Sequence, residues 1–170
     1  PLVINRLEGM LGGPLNFECG DVRDTIFLQE LFKKYSIRGV IHFAAKKSVA
    51  ESVSDPLGYY DVNIGGLVNL LQVMVENRCL NFVFSSSATV YGNPKRLPIF
   101  ETDDLCSANP YGRTKLFSEE VINDLVATAT GFNAAILRYF NPVGAHVSGL
   151  IGEDPMGVPN NLMPYIAQVA

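Results

Sequence analysis

Tyr111 and Lys115, in the run Asn109-Pro110-Tyr111-Gly112-Arg113-Thr114-Lys115, are the residues of this 170-residue chain best suited to moving a proton. Four positions apart on a helix, they share a face, so a phenol and an ammonium can point into one pocket. A cation there favours phenolate. It would draw the phenol from its ordinary pKa of about 10 toward the operating pH, as general-base chemistry requires. Ser87 stands 24 residues upstream as the last of Ser85-Ser86-Ser87. A hydroxyl at a strand end can hydrogen-bond the same substrate oxygen that the tyrosine serves. The spacing fits equally a half-buried ring beside a solvated amine, and only the surroundings separate the two.

Those surroundings alternate between β-rich runs and helical ones. Leu15 to Cys19 reads as a strand and Asp24 to Tyr35 as an amphipathic helix, with Ile26, Phe27, Leu28, Leu31 and Phe32 on its apolar side. Gly39 to Ala45 is a continuous apolar run, as suits a strand covered on both faces. Asp55-Pro56 opens a long helix reaching Glu76 to Arg78, and Asn81 to Phe84 forms a strand with the serines directly after it. A charged, proline-bearing loop from Gly92 to Pro110 leads into a helix from Tyr111 to about Ala129. Phe132 to Phe140 closes the series as a strand, and a further helix starts near Pro164. Strand–helix–strand repetition predicts an α/β fold with a doubly wound, mostly parallel, Rossmann-like sheet. Ligands of such sheets lie outside the carboxyl ends of the strands, which puts Ala44, Ala45, Ser85 to Ser87 and Asn141 on one rim.

Composition narrows the partners. The chain is 48% hydrophobic and 18% charged, ordinary for a globular domain, and carries a net charge of −4. Its basic residues cluster no further than Lys33-Lys34 or Lys46-Lys47, which argues against nucleic acid and anionic membranes as partners. Apolar windows are too short to span a bilayer, and no secretory or transit segment is visible. Cys19, Cys79 and Cys106 are odd in number and lack a C-x-x-C, so a reducing, cytoplasmic compartment is expected and neither disulfides nor a metal site. His42 reads as a core strand residue and His146 as part of a loop. A dinucleotide site of this architecture opens with strand, glycine loop and helix. Gly9, Gly12 and Gly13 follow a helical stretch and Gly65-Gly66 lie inside a helix, so that unit is absent. The chain starts at Pro1 and stops within an apolar run at Ala170, and is expected to be an internal fragment of a longer enzyme, inactive alone.

Several strings together resemble the extended short-chain dehydrogenase/reductases, and within them the UDP-glucose/UDP-galactose 4-epimerase branch. They are Gly20-Asp21-Val22-Arg23-Asp24, Val40-Ile41-His42-Phe43-Ala44-Ala45, Ser85 to Gly92, Asn109 to Lys115, Leu137 to Ala145, and Pro159 to Tyr165. Sugar-nucleotide 4,6-dehydratases are similar but carry Asp-Glu where this chain has Ala88-Thr89. Elimination of water then lacks its proton carrier, which favours oxidation and re-reduction at sugar carbon 4.

The resemblance implies NAD as cofactor, UDP-galactose and UDP-glucose as substrates, and a homodimer built on the two long helices. It divides the chain into a partial NAD-binding domain, 1–145, and the start of a substrate-binding region, 146–170. Tyr111 would exchange the proton of the sugar 4-hydroxyl, Ser87 would bond the same oxygen, and Lys115 would lower the tyrosine pKa and hold the nicotinamide ribose. Asp21 and Val22 would meet the adenine end of the cofactor. Phe43, Ala44, Ala45, Lys47 and Ser85 would line its rim, and Phe140 its nicotinamide side. Asn141 and Asn161 would contact the sugar nucleotide. Where some relatives have Asn-Asn this chain has Val62-Asn63, so a cofactor contact of the first asparagine does not transfer. Epimerisation of a UDP-N-acetylhexosamine or UDP-uronate, or a non-catalytic Rossmann-like binding module, are the alternatives.

Overall fold

A computed structural model describes residues 2–129, 131–153, 155, 159 and 161–169. The chain divides into two compact units, one of residues 1–19 with 141–170 and one of residues 20–140. The second carries a parallel sheet of three strands among the described residues, in the order β1 (Val40–His42), β2 (Asn81–Ser87), β3 (Asn133–Tyr139).

Four α-helices of this unit begin where a side chain satisfies one of the first free N–H groups. Asp24 accepts from the Phe27 N–H and opens α2 (Thr25–Lys34). Ser48 accepts from Glu51 at the head of α3 (Val49–Ser54), and Asp55 from Gly58 at the head of α4 (Pro56–Tyr60). Asn109 accepts from Gly112, 2.8 Å away, with Pro110 in the first helical position of α6 (Pro110–Thr128). Between α4 and α5 (Gly66–Glu76) the chain makes one wider π turn, Asp61–Gly65.

The apolar residues of these helices meet one side of the sheet. Leu28 and Phe32 of α2, Leu67, Leu70, Leu71, Val73 and Met74 of α5, and Ile122 of α6 bury Phe82 and Phe84 of β2 and Phe132 ahead of β3. Alternation along β2 puts Phe82, Phe84 and Ser86 inward, while Val83, Ser85 and Ser87 face the other way and stay half-buried. His42 is buried, stacked on Phe82 and Phe84, as expected of a core strand residue.

Several boundaries differ from expectation. Leu15 is half-buried, residues 16–19 are exposed and the run makes no ladder, so it is not a strand. The serines do not follow β2 but end it, because Ser85, Ser86 and Ser87 pair in register with Leu137, Arg138 and Tyr139. The long helix expected from Asp55 is divided by the π turn and preceded by α3. The first unit holds α1 (Leu2–Leu11), whose Arg6 guanidinium bonds the Leu150 carbonyl at 3.0 Å, and α7 (Leu162–Val169). His146 lies there in a loop, its Nδ1 beside the Ser148 hydroxyl.

Candidate active site

Tyr111 and Lys115 occupy adjacent turns of α6, on the face turned to the end of β2. The first turn of α6 approaches the short 3-10 turn Ala88–Tyr91 so closely that a Cβ on Gly112 would lie 2.1 Å from the Ser107 hydroxyl and 3.0 Å from the Thr89 carbonyl. A side chain there would have to displace the Ser107 hydroxyl and crowd the Thr89 carbonyl, so glycine suits that approach. Ser87 ends β2 and caps this same turn, its hydroxyl accepting from the Thr89 N–H at 3.2 Å and the Thr89 hydroxyl at 3.0 Å. The Ser87 hydroxyl also interacts with the Tyr111 phenol. Serine and tyrosine, far apart in sequence, share one spot.

Lys115 is nearly buried, at 5% exposure. Its ammonium donates to the Ser85 carbonyl at 2.7 Å and lies 4.8 Å over the Phe84 ring. Burial disfavours the charge and brings its pKa down to about 8. Burial likewise pushes the Tyr111 phenol up, with the Ser87 interaction pulling back. The spacing predicted a phenol drawn down by the Lys115 cation; instead burial dominates the phenol and raises it. His42 is held neutral, its pKa near 4, by burial first and by the Lys115 charge second.

Two residues the sequence reading did not use as supports hold Tyr111 in place. Tyr59 is fully buried, meets the Tyr111 ring edge-on at 6.5 Å, donates to Glu51 at 2.9 Å and accepts from the Ser48 N–H at 2.9 Å. Asn63, turned inward by the π turn, accepts from the Lys46 N–H at 2.8 Å, and donates to the Lys46 carbonyl and the Thr114 hydroxyl, both at 3.0 Å. Thr114 in turn donates to the Tyr111 carbonyl at 2.7 Å. The loop after β1 is thereby tied to the turn of α6 that carries the phenol. A lone asparagine beside the helix-breaking Gly65-Gly66 was the available signal for Asn63; nothing in the sequence marks Tyr59.

The remaining candidates spread outward. Phe43 and Phe140 follow β1 and β3 at 64% and 62% exposure, and the Phe43 ring lies 6.4 Å from Tyr139. Ala44 and Lys47 are exposed and Ala45 is half-buried, in the same loop as Phe43. It is Lys46, not Lys47, that makes ion pairs there, with Glu51 at 3.0 Å and Asp55 at 3.2 Å. Asp21 pairs with Arg23 at 2.7 Å, which holds its carboxyl down at about 2. Val22 packs where Gly66 has no side chain. Asn141 and Asn161 belong to the other unit, where Asn161 donates to Glu153 at 2.6 Å.

A half-buried phenol beside a hydroxyl, with a buried cation one helical turn on, can exchange a proton with a substrate hydroxyl or carbonyl. A family model described as GDP-mannose 4,6 dehydratase matches residues 4–170. The chain belongs to this family. Within it, a UDP-glucose 4-epimerase of Mus musculus is 54% identical over 172 residues, covering 100% of this chain and 49% of the relative. The fold of a Bifidobacterium longum UDP-glucose 4-epimerase, solved in complex with NAD+ and UDP, superposes with a TM-score of 0.95 at 47% identity, covering 99% of this chain and 51% of that one. That of the Stenotrophomonas maltophila UDP-glucose-4-epimerase, with bound NAD and formylated UDP-arabinopyranose, gives 0.94 at 50% identity, covering 98% and 50%. The chain spans about half the length of these relatives. Although the family model is described by a dehydratase, the turn after Ser87 presents Ala88 and Thr89 and so offers no carboxyl group.

Proposed function

We propose that the protein interconverts UDP-galactose and UDP-glucose by oxidation to a 4-keto sugar and re-reduction, with NAD as cofactor. The observation that carries this reading is the Ser87–Tyr111 pair next to Lys115, on a turn without an acid for dehydration. Epimerisation needs a group that takes a proton in one half-reaction and returns it in the other. Tyr111 suits both: burial favours the protonated phenol that gives the proton back, and the Ser87 hydroxyl favours the phenolate that takes it. Ser87 bonds the sugar 4-oxygen and holds it against the phenol.

The residues present fit NAD. Lys115 spends one N–H on the Ser85 carbonyl and has others for ribose hydroxyls, and the well-ionised Asp21 offers an acceptor at the adenine end. Val22 supports the adenine end, and Phe43, Ala44, Ala45, Lys47, Ser85 and Phe140 line the rim. When bound, NAD supplies the hydride acceptor and donor. Asn141 and Asn161 hold the sugar nucleotide, with residues 1–145 as the cofactor part and 146–170 as the start of the substrate part. The unit boundary between Phe140 and Asn141 supports a division near that point, while residues 1–19 group with 141–170 and not with the cofactor part.

Homodimerisation through α4, α5 and α6 is supported by apolar side chains left outside, among them Leu57, Phe117 and Val126. A reducing, cytoplasmic setting is supported by three free cysteines, and no described helix is long and apolar enough to cross a membrane. Incubating the intact protein with UDP-galactose, and separately with UDP-N-acetylgalactosamine, tests the substrate. Conversion of UDP-galactose to UDP-glucose is expected, and turnover of the N-acetylated sugar alone would refute the assignment.

A further inference from the structure

The buried face of α6 continues past Lys115 to a charge that the proposed chemistry does not use. Glu119 follows Tyr111 and Lys115 at the same four-residue interval, so all three point at β2. Glu119 is 2% exposed. Its carboxylate accepts from the Ser86 hydroxyl at 2.5 Å, and from Arg138 Nε and Nη2 at 3.1 and 2.7 Å. Ser86 and Arg138 are directly opposed in the β2–β3 ladder, so the carboxylate seals a cross-strand pair. The guanidinium has donors to spare. Nη1 reaches the Tyr91 hydroxyl at 2.8 Å and the Glu101 carbonyl at 3.0 Å, and the group sits 5.0 Å from the centre of the Tyr91 ring.

We propose that Glu119 and Arg138 are positioning residues that set the approach of Tyr111 to Ser87, a role that rests on the functional reading above. One ion pair ties together the helix that carries the phenol, the strand that ends in Ser87, the turn that Ser87 caps and the loop that leads back to the helix. Rolling α6 about its axis moves Tyr111 across Ser87, and Glu119 is the buried contact that resists the roll. Stability alone accounts poorly for the pair, because apolar residues of similar volume fill such a place at least as well. The direction of its bonds accounts for it better. Each goes to an element that holds one member of the Ser87–Tyr111 pair. The alternation of β2 assigns the serine run two jobs, with Ser86 locking the helix from inside and Ser87 presenting its hydroxyl outside.

The test is Glu119→Gln in the intact protein, labelled with 13C at the tyrosine Cζ, the Tyr111 resonance being assigned by its loss in Tyr111→Phe. The proposal expects a folded variant whose Tyr111 midpoint moves up, as the Ser87 interaction loosens, and whose kcat falls roughly ten- to a hundredfold at little change in KM. An unchanged Tyr111 midpoint and kcat in a folded but less stable variant would overturn it. If Glu119→Gln does not fold, Ser86→Ala decides by the same two readouts, its side chain facing away from the site. Full activity in Tyr111→Phe would sink the functional reading instead, and the phenol midpoint would still judge the positioning.

Discussion

The two faces of β2 divide the labour of the molecule. Phe82 and Phe84 lie in the apolar cluster and bring stability, while one residue along, Ser85 and Ser87 engage a lysine and a tyrosine. Ser86 belongs to the inner row by geometry and to the site by consequence, since it holds Glu119 beneath the same helix. A period of two thus lets one seven-residue strand carry a core and the candidate site, with the Lys115 ammonium over the Phe84 ring where the two meet.

Substitutions on the two faces separate stability from activity. Phe82→Ala is expected to cost about 3–5 kcal/mol in urea denaturation, through lost burial and the cavity left between His42, Phe84 and Phe132. His42 on the neighbouring strand makes the inner face sensitive to acid. Its pKa is near 4 when folded and about 6.5 when unfolded, so between those values the unfolded chain takes up a proton the folded chain refuses. Stability from this group is full above pH 6.5 and declines as the pH falls to 4, by about 3 kcal/mol. The urea midpoint of His42→Phe should lose that dependence; a parallel decline in the variant would show that His42 is not its source. On the outer face, Ser87→Ala loses only the cap of the 3-10 turn and should cost about 1 kcal/mol in urea denaturation, well below the cost of Phe82→Ala. The turnover of UDP-galactose by the Ser87 variant should fall by about a hundredfold. A destabilised but active Ser87→Ala protein would invert the comparison.

The candidate site was legible in the sequence because most of its parts are local. Tyr111 and Lys115 are one helical turn apart, Asn109-Pro110 announces where that helix starts, and Ser87 ends an obvious strand. The inner support was not legible. Glu119 and Arg138 read singly as surface charges, and only the β2–β3 register with the helix above it brings them together across 19 positions. Tyr59 and Asn63 depend on α4 ending in a π turn, which an apolar pattern continuous from Asp55 to Glu76 conceals. Leu15 to Cys19 alternates like a strand yet forms no ladder, since alternation records which side chains share a face and not whether a neighbour is there to pair. The pKa of Tyr111 went opposite to expectation for a similar reason. Spacing put a cation nearby but could not show how deeply the phenol is buried.

Tyr111 as proton carrier is the central proposal, and Tyr111→Phe in the intact protein tests it most directly. The ring and its contact with Tyr59 are kept and only the hydroxyl is removed. Conversion of UDP-galactose to UDP-glucose should fall by about 10²–10⁴-fold while the thermal midpoint stays within a few degrees of the parent's. A variant that converts the sugar at the parent's rate would contradict the assignment of Tyr111.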